Sequence, residues 1–221
     1  MTDQAQTIAI IGASGKASSL IMKEALARDH RVIAIVRNRD NLTSESLQHD
    51  HVTVLEKDLF DLTYDDLREA DAVIDAFAVW SPSQLHLHRS SLTYLADLLS
   101  RKPQRLFVVG GAGSLYVDEA TQTRLMDTPD FPEAFKPLAS NMAMALDELK
   151  KRRDVNWTYL SPAAEFNADG ARTGDYEIGG ETLMINRAGK SEISYADYAI
   201  AMIDEVENGR HRNQRFSVYS K

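Results

Sequence analysis

A turn near the start of the chain has the residue types and the spacing of an anion-binding loop. The apolar residues 8–11 are followed at once by Gly12, and Gly15 comes three positions later. From Leu20 onward, apolar residues recur at helical spacing. A helix start offers unpaired N–H groups and partial positive charge, so this order predicts a site for a dinucleotide pyrophosphate. The residues expected to hold it are Gly12, Ser14, Gly15, Lys16 and Ala17.

The third small residue of this turn departs from the commonest dinucleotide pattern. Ser18 stands where many such turns have a glycine that lets the helix pack closely on the strand. Serine is small, so the helix can follow the same path slightly further out. A glycine pattern alone is weak evidence, and the alternative is a tight strand-to-helix turn without a ligand.

The second apolar run, residues 31–36, ends at Arg37. In a dinucleotide fold this strand end lies beside the adenosine ribose, where an acidic residue would accept bonds from the ribose hydroxyls. An arginine there pairs instead with a 2′-phosphate, so Arg37 favours NADP(H) over NAD(H). The alternative is that Arg37 and Arg39 are solvated loop charges.

Two further strand ends supply candidates for the cofactor site. Asp58 and Leu59 follow the third strand, residues 52–55, and are expected to flank the adenine. Asp58 reads equally well as a turn residue or a helix cap. The fourth strand, residues 71–79, loses bulk near its end, so Ala76 and Phe77 are expected to line the ribose and nicotinamide.

A glycine-rich stretch follows the fifth strand, residues 105–109. Gly110 and Gly111 mark backbone that comes close to another group, and the reactive end of the cofactor is the natural candidate. Ser114 and Tyr116 are then the nearest polar side chains and the candidate catalytic residues; the alternative is a flexible loop. Residues 121–137, with three prolines, could form a lid. The acceptor pocket is expected to include Trp80 and Phe166.

Strands alternate with helices through most of the chain, which predicts an α/β protein with a doubly wound, mainly parallel sheet and helices on both faces. We expect one domain over residues 1–221, with a small hairpin insertion at 165–195 on the substrate side.

Composition narrows the class of partner. The net charge of −8 gives no overall attraction to nucleic acid or anionic membrane. Cysteine is absent, and no apolar run approaches the ~20 residues that cross a bilayer, so we expect a cytoplasmic protein. His86 and His88 lie two positions apart on a predicted helix and so do not share a face; no metal site is expected. A monomer and a homodimer are both compatible with this composition.

Five stretches together resemble the atypical short-chain dehydrogenase/reductase family, over nearly the whole chain. Within it, the chain is most similar to the group of NADH-flavin-reductase-like, NAD(P)H-binding or biliverdin-reductase-B-like proteins. The resemblance implies one Rossmann domain with a small C-terminal substrate-side region, and NADPH or NADH as cofactor. The five stretches are residues 12–18, 36–38, 108–116, 157–164 and 193–199.

The chain departs from that wider family at its usual proton donor. Carbonyl chemistry there uses a tyrosine with a lysine four residues later, and no tyrosine of this chain has that partner. Reduction of a ketone leaves a basic alkoxide that needs a positioned acid, whereas a flavin or quinone spreads the charge over its rings. We therefore expect hydride transfer to a flavin, quinone or similar conjugated small molecule. The alternatives are an NAD(P)-binding sensor with little turnover and, third, a carbonyl reductase or epimerase that uses Tyr116.

Overall fold

The computed structural model describes residues 5–118 and 120–221, and this part of the chain contains twelve strands and six α-helices. The strands are β1 (Thr7–Ile11), β2 (Arg31–Val36), β3 (Val52–Glu56), β4 (Ala72–Asp75), β5 (Arg105–Val109), β6 (Tyr116–Asp118), β7 (Thr123–Arg124), β8 (Asn156–Ser161), β9 (Glu165–Asn167), β10 (Tyr176–Gly179), β11 (Glu192–Ser194) and β12 (Gln214–Ser220). The helices are α1 (Lys16–Ala27), α2 (Ser44–Gln48), α3 (Tyr64–Leu67), α4 (Leu87–Leu98), α5 (Lys136–Leu149) and α6 (Tyr195–Asn208).

Eight strands form one sheet in the order β10-β12-β8-β5-β4-β1-β2-β3. Every neighbouring pair is parallel except β10 and β12. The central strands are buried apolar runs, as expected where both faces of a parallel sheet are covered. The predicted α/β doubly wound architecture is therefore confirmed.

Helices cover both faces of this sheet and divide the core in two. Helices α1 and α6 pack together over one face, where Ile21 and Ile203 are fully buried. Helices α4 and α5 cover the other face, where Leu95 and Leu146 are buried beside Trp157. In α1, α4 and α5 the buried residues fall on one side, whereas α6 is buried at every position from Asp197 to Ile203. This burial holds the helices on the sheet.

The order of the strands creates a crevice beside β1. The chain runs outward from β1 through β2 to β3, then crosses back to β4 on the other side of β1. Ligands of doubly wound sheets bind outside the carboxyl ends of the strands at such a reversal. Because β1, β4, β5 and β8 are parallel, the loops that follow them meet at this one edge.

Two local expectations are wrong in detail. The hairpin expected within residues 165–195 is absent from the described residues: β9 pairs in parallel with β11, and β10 joins the main sheet. This pairing packs Phe166 against Tyr195 and Tyr198 of α6, which gives the apolar face of β9 a partner. The fourth strand ends at Asp75 rather than residue 79, because the Asp75 carboxylate accepts the Phe77 N–H at 3.0 Å and turns the chain.

No helix among the described residues combines the length and the apolar composition that crossing a membrane would require.

Gly110 is a position where the fold excludes a side chain. A Cβ there would lie 2.1 Å from Tyr159 Cε1 and 2.8 Å from the Leu160 carbonyl oxygen. We expect Gly110→Ala to lower the free energy of unfolding by about 1–3 kcal/mol, measured by urea denaturation. Gly180→Ala is the control, since nothing lies within 4 Å of its Cβ. Equal stability of the two variants would contradict the steric argument.

Candidate functional site

A cleft of about 730 Å³ lies at the carboxyl edge of the sheet. It is bounded by the loops after β1, β4, β5 and β8, and by the segment that leads into α5. The structure brings most of the predicted residues to this cleft. Those that line it are Gly15, Lys16, Ala17, Ala76, Phe77, Trp80, Gly110, Gly111, Ser114 and Phe166.

The turn after β1 has the form of a phosphate cradle. Gly12 has a φ of 71°, which favours glycine, and a Cβ there would lie 2.9 Å from the Ala76 carbonyl oxygen. Helix α1 begins at Lys16, and no side chain in the described part of the chain caps its N-terminus. Its first N–H groups therefore point, unpartnered by a cap, into the cleft that Lys16 and Ala17 line. This arrangement fits a pyrophosphate group.

Ser18 has a role that the sequence pattern did not show. Its side chain is buried, and its Oγ lies 2.6 Å from the Gly12 carbonyl oxygen and 3.1 Å from that of Gly15. The hydroxyl therefore donates to the turn and ties it to α1. Serine at the third position fastens the turn rather than merely occupying the place of a glycine.

The residues predicted for the adenosine end lie outside the enclosed cleft. Arg37 follows β2 and is exposed, with no ion pair to any residue that the structure describes. Asp58 accepts the Phe60 N–H at 2.9 Å and caps the 3₁₀ helix Leu59–Asp61, whereas the expected cap was for a helix over residues 61–69; α3 there is capped by Thr63 instead. Leu59 is buried in the core. Gly12 and Ser14 also lie outside the lining of the cleft, at its end.

The glycines after β5 are close to the protein's own side chains. Gly110 abuts Tyr159, a Cβ at Gly111 would lie 3.3 Å from Met142 Cε, and one at Gly113 would lie 2.7 Å from Ala139 Cβ. The expectation of a close approach holds, but the groups approached belong to β8 and α5. Met142, which pattern alone marks as a core residue, also lines the cleft.

Ser114 lies in the cleft wall and is fixed there by a hydrogen bond from a buried arginine. Its Oγ accepts a hydrogen bond from Arg215 Nη1 at 2.8 Å, and the Arg215 side chain is buried against Glu181. A guanidinium only donates, so the hydroxyl proton of Ser114 remains available to a group in the cleft. Lys150 also pairs with Glu181, at 2.7 Å, so this one carboxylate contacts two cationic side chains.

Tyr116, the second catalytic candidate, is not brought to the cleft. It starts β6, pairs with Arg124 of β7 and bridges to Thr182. Its N–H donates to the Glu181 carbonyl at 2.9 Å, and its carbonyl accepts from the Leu183 N–H at 2.8 Å. These bonds hold Tyr116 in a small lobe outside the cleft lining, so the structure does not support its placement beside the reacting atoms.

Apolar and aromatic residues form the outer wall of the cleft. Phe131, Pro132 and Phe135 come from the segment that the sequence marked as a possible lid. Trp80 is 68% exposed and Phe135 is 52% exposed, so both rings stand at the mouth. Phe166 packs on Tyr195, which also lines the cleft, with ring centroids 4.0 Å apart. A wall of this kind suits a flat, apolar molecule.

His88 fixes the loop that follows β4. Its Nε2 lies 3.0 Å from the Val79 carbonyl oxygen, and its ring meets Phe77 edge-on at 5.8 Å. Burial lowers the pKa of His88, so the ring is neutral and donates to that carbonyl. No group of three metal-ligating side chains occurs among the described residues.

Asp75 is a buried carboxylate directly behind the cleft. It is 6% exposed, and the bond from the Phe77 N–H is its one hydrogen bond among the described residues. Burial raises the pKa of Asp75 to about 6. A small cavity of about 20 Å³ lies beside it, with Ser91 and Tyr159 in its wall.

Comparison with known proteins places the chain among nucleotide-binding relatives. The model of a family described as NAD(P)H-binding matches residues 12–208. The Bacillus subtilis (strain 168) protein named uncharacterised protein YwnB is 50% identical over 215 residues, covering 97% of this chain and 98% of that one.

Two solved structures have the same fold at substantial identity. A protein of Streptococcus pneumoniae TIGR4, provisionally named an NADH-flavin reductase, superposes with a TM-score of 0.92 at 46% identity, covering 98% of this chain and all of that one. A protein of Bacteroides thetaiotaomicron, provisionally named an epimerase, gives a TM-score of 0.84 at 33% identity, with 98% of both chains covered.

The raised pKa of Asp75 makes stability depend on pH. The folded state binds a proton more readily than the unfolded chain, whose carboxyl has a pKa near 3.9. The wild type therefore loses stability as the pH rises from about 4 through 6. We expect Asp75→Asn, whose amide oxygen can still accept from Phe77, to be more stable than the wild type by roughly 2–3 kcal/mol at pH 7.5.

This advantage should shrink toward zero near pH 4, and urea denaturation at several pH values measures it. A difference that does not vary between pH 4 and pH 7.5 would contradict the assigned titration.

Proposed function

The chain belongs to the NAD(P)H-binding family, and from this membership we propose that it is an NAD(P)H-dependent oxidoreductase that reduces a flavin, a quinone or a similar conjugated small molecule. The family match agrees with the resemblance that the sequence motifs carry. The observation that supports the reaction most directly is the cleft itself, which joins a pyrophosphate cradle to an aromatic wall without a break.

Each part of the cleft is assigned to one part of the cofactor. The backbone from Gly12 to Ala17 holds the pyrophosphate, with the Lys16 side chain adding positive charge. Arg37, exposed beyond β2 and without an ion pair to any described residue, contacts the 2′-phosphate and gives a preference for NADP(H). The nicotinamide side is lined by Ala76, Phe77, Gly110 and Gly111. When bound, the cofactor supplies the hydride.

The acceptor is inferred from what surrounds the open half of the cleft. Trp80 and Phe135 present aromatic faces at the mouth, and such faces orient a planar ring by stacking. No tyrosine in the sequence has a lysine four positions on, so the cleft lacks the usual acid for an alkoxide. A conjugated ring spreads the incoming negative charge and can take its proton from water.

Ser114 is the polar group best placed to assist such an acceptor. Its hydroxyl proton is free to bond to an oxygen or nitrogen on which electron density increases during reduction. The provisional name of the Streptococcus pneumoniae relative agrees with this acceptor class. The Bacteroides thetaiotaomicron relative is provisionally named an epimerase, and reaction at a carbonyl group is therefore the competing proposal.

Turnover is tested by following NADPH oxidation with FMN, riboflavin and a simple quinone as acceptors. We expect rates well above the uncatalysed reaction with at least one of them, because the cleft holds donor and acceptor rings in contact. Calorimetry on the same protein measures NADPH affinity separately. Tight binding with no turnover over the whole set would favour the alternative of an NAD(P)-binding sensor.

The 2′-phosphate assignment is tested by Arg37→Ala. Loss of a charge-assisted hydrogen bond should weaken NADPH binding by about ten-fold or more and leave NADH binding unchanged, as measured by calorimetry. Arg31→Ala is a matched control, because Arg31 is an exposed arginine at the opposite end of the same strand. Equal losses for both nucleotides would refute a specific contact with the 2′-phosphate.

A further inference from the structure

The cleft and the small cavity beside Asp75 share part of their lining. Both spaces are lined by Phe77, His88, Val109 and Met142. At about 20 Å³ the cavity has room for a single water molecule. Asp75 is therefore buried directly behind the part of the cleft assigned to the nicotinamide.

The charge of Asp75 has no counter-charge close by. Among the described residues no arginine, lysine or histidine forms an ion pair with it, and the Phe77 N–H is its hydrogen-bond donor. The ionisable groups that share its cavity are His88 of α4 and Tyr159 of β8. Residues Met142 and Ala145 of α5, which also face the cavity, carry no charge. A buried carboxylate without a cation is costly unless a positive group approaches it.

The oxidised nicotinamide ring is such a positive group, since it carries one more positive charge than the reduced ring. We propose that the negative charge of Asp75 favours binding of the oxidised nicotinamide ring over the reduced ring. The cleft would show a weaker preference of this kind if Asp75 were neutral. This step extends the proposed function and rests on it. The attraction acts across the wall formed by Phe77 and Val109, where the medium screens it weakly.

This preference has a chemical consequence for the bound cofactor. Tighter binding of the oxidised form than of the reduced form lowers the reduction potential of the bound pair and makes it a stronger donor of hydride. His88 does not oppose the effect, because it is neutral and its Nε2 proton is committed to the Val79 carbonyl. Asp75 thus acts on the cofactor through its negative charge and does not contact the acceptor.

The test compares the dissociation constants of NADP⁺ and NADPH, measured by calorimetry at pH 8 on the wild type and on Asp75→Asn. We expect the ratio of the NADP⁺ constant to the NADPH constant to rise about ten-fold in the variant, through weaker NADP⁺ binding. Asp71→Asn is the matched control: Asp71 accepts the Thr7 N–H at 2.8 Å at the other end of β4. Its ratio should equal that of the wild type.

A pH series gives a second test. In the wild type the same ratio should fall as the pH rises through about 6 and Asp75 becomes charged. The fall should be clearly smaller in Asp75→Asn, in which His88 is the remaining titratable group that lines both spaces. If Asp75→Asn fails to fold, Asp75→Ser keeps an acceptor for the Phe77 N–H and removes the charge.

The outcomes separate the two proposals. An unchanged ratio in a folded variant that binds both nucleotides overturns the role of Asp75 and leaves the proposed function standing. Failure of the wild type to bind either nucleotide overturns the proposed function, and the role of Asp75 with it.

Discussion

The contact between the turn after β1 and the end of β4 is the constraint on which the cleft depends. Gly12 lies against the Ala76 carbonyl so closely that only a hydrogen fits, and the Ala76 N–H in turn donates to the Ile11 carbonyl at 3.2 Å. This contact sets where α1 begins and where the chain after β4 must turn. The turn after β1 and the cleft wall that follows β4 are consequently two sides of one junction.

Two polar anchors then give the apolar cleft its shape. His88 holds the loop after β4 through the Val79 carbonyl, and Arg215 holds Ser114 from the opposite wall. Both anchors are buried, and each makes its bond in a medium where leaving it unmade would be expensive. The loops that carry the site are therefore fixed by side chains from α4 and β12 in addition to their own short-range turns.

The fold and the turn after β1 could be predicted from the sequence because both rest on local signals. Apolar runs separated by helical patterns predict a parallel sheet, and Gly12 at a strand end predicts the turn. The anchors rest on contacts distant in sequence, such as Arg215 with Ser114, and no spacing rule connects residues 101 positions apart. The same limit explains Tyr116: its motif suggested proximity to the site, whereas pairing with residues 181–183 draws it away.

Local patterns do not reveal which group a small residue makes room for. The glycines after β5 predict a close approach, and Tyr159, Met142 and Ala139 occupy the space that their side chains would need. Phe166 was correctly placed at the cleft, yet its support comes from α6 through a parallel strand pair that hairpin signals do not reveal. A loop needs glycines or other small residues both where the protein's own side chains pack against it and where a ligand binds it, so the sequence alone does not distinguish the two cases.

The hydrogen bond between Arg215 and Ser114 also affects the order in which the site can form during synthesis. Ser114 emerges from the ribosome about a hundred residues before the guanidinium that fixes it, and β12 is the last strand of the chain. Until β12 inserts between β8 and β10, the serine hydroxyl lacks its donor and the wall of the cleft has no fixed form. A growing chain can thus form the turn after β1 early, but ligand binding can aid its folding fully only after β12 has emerged.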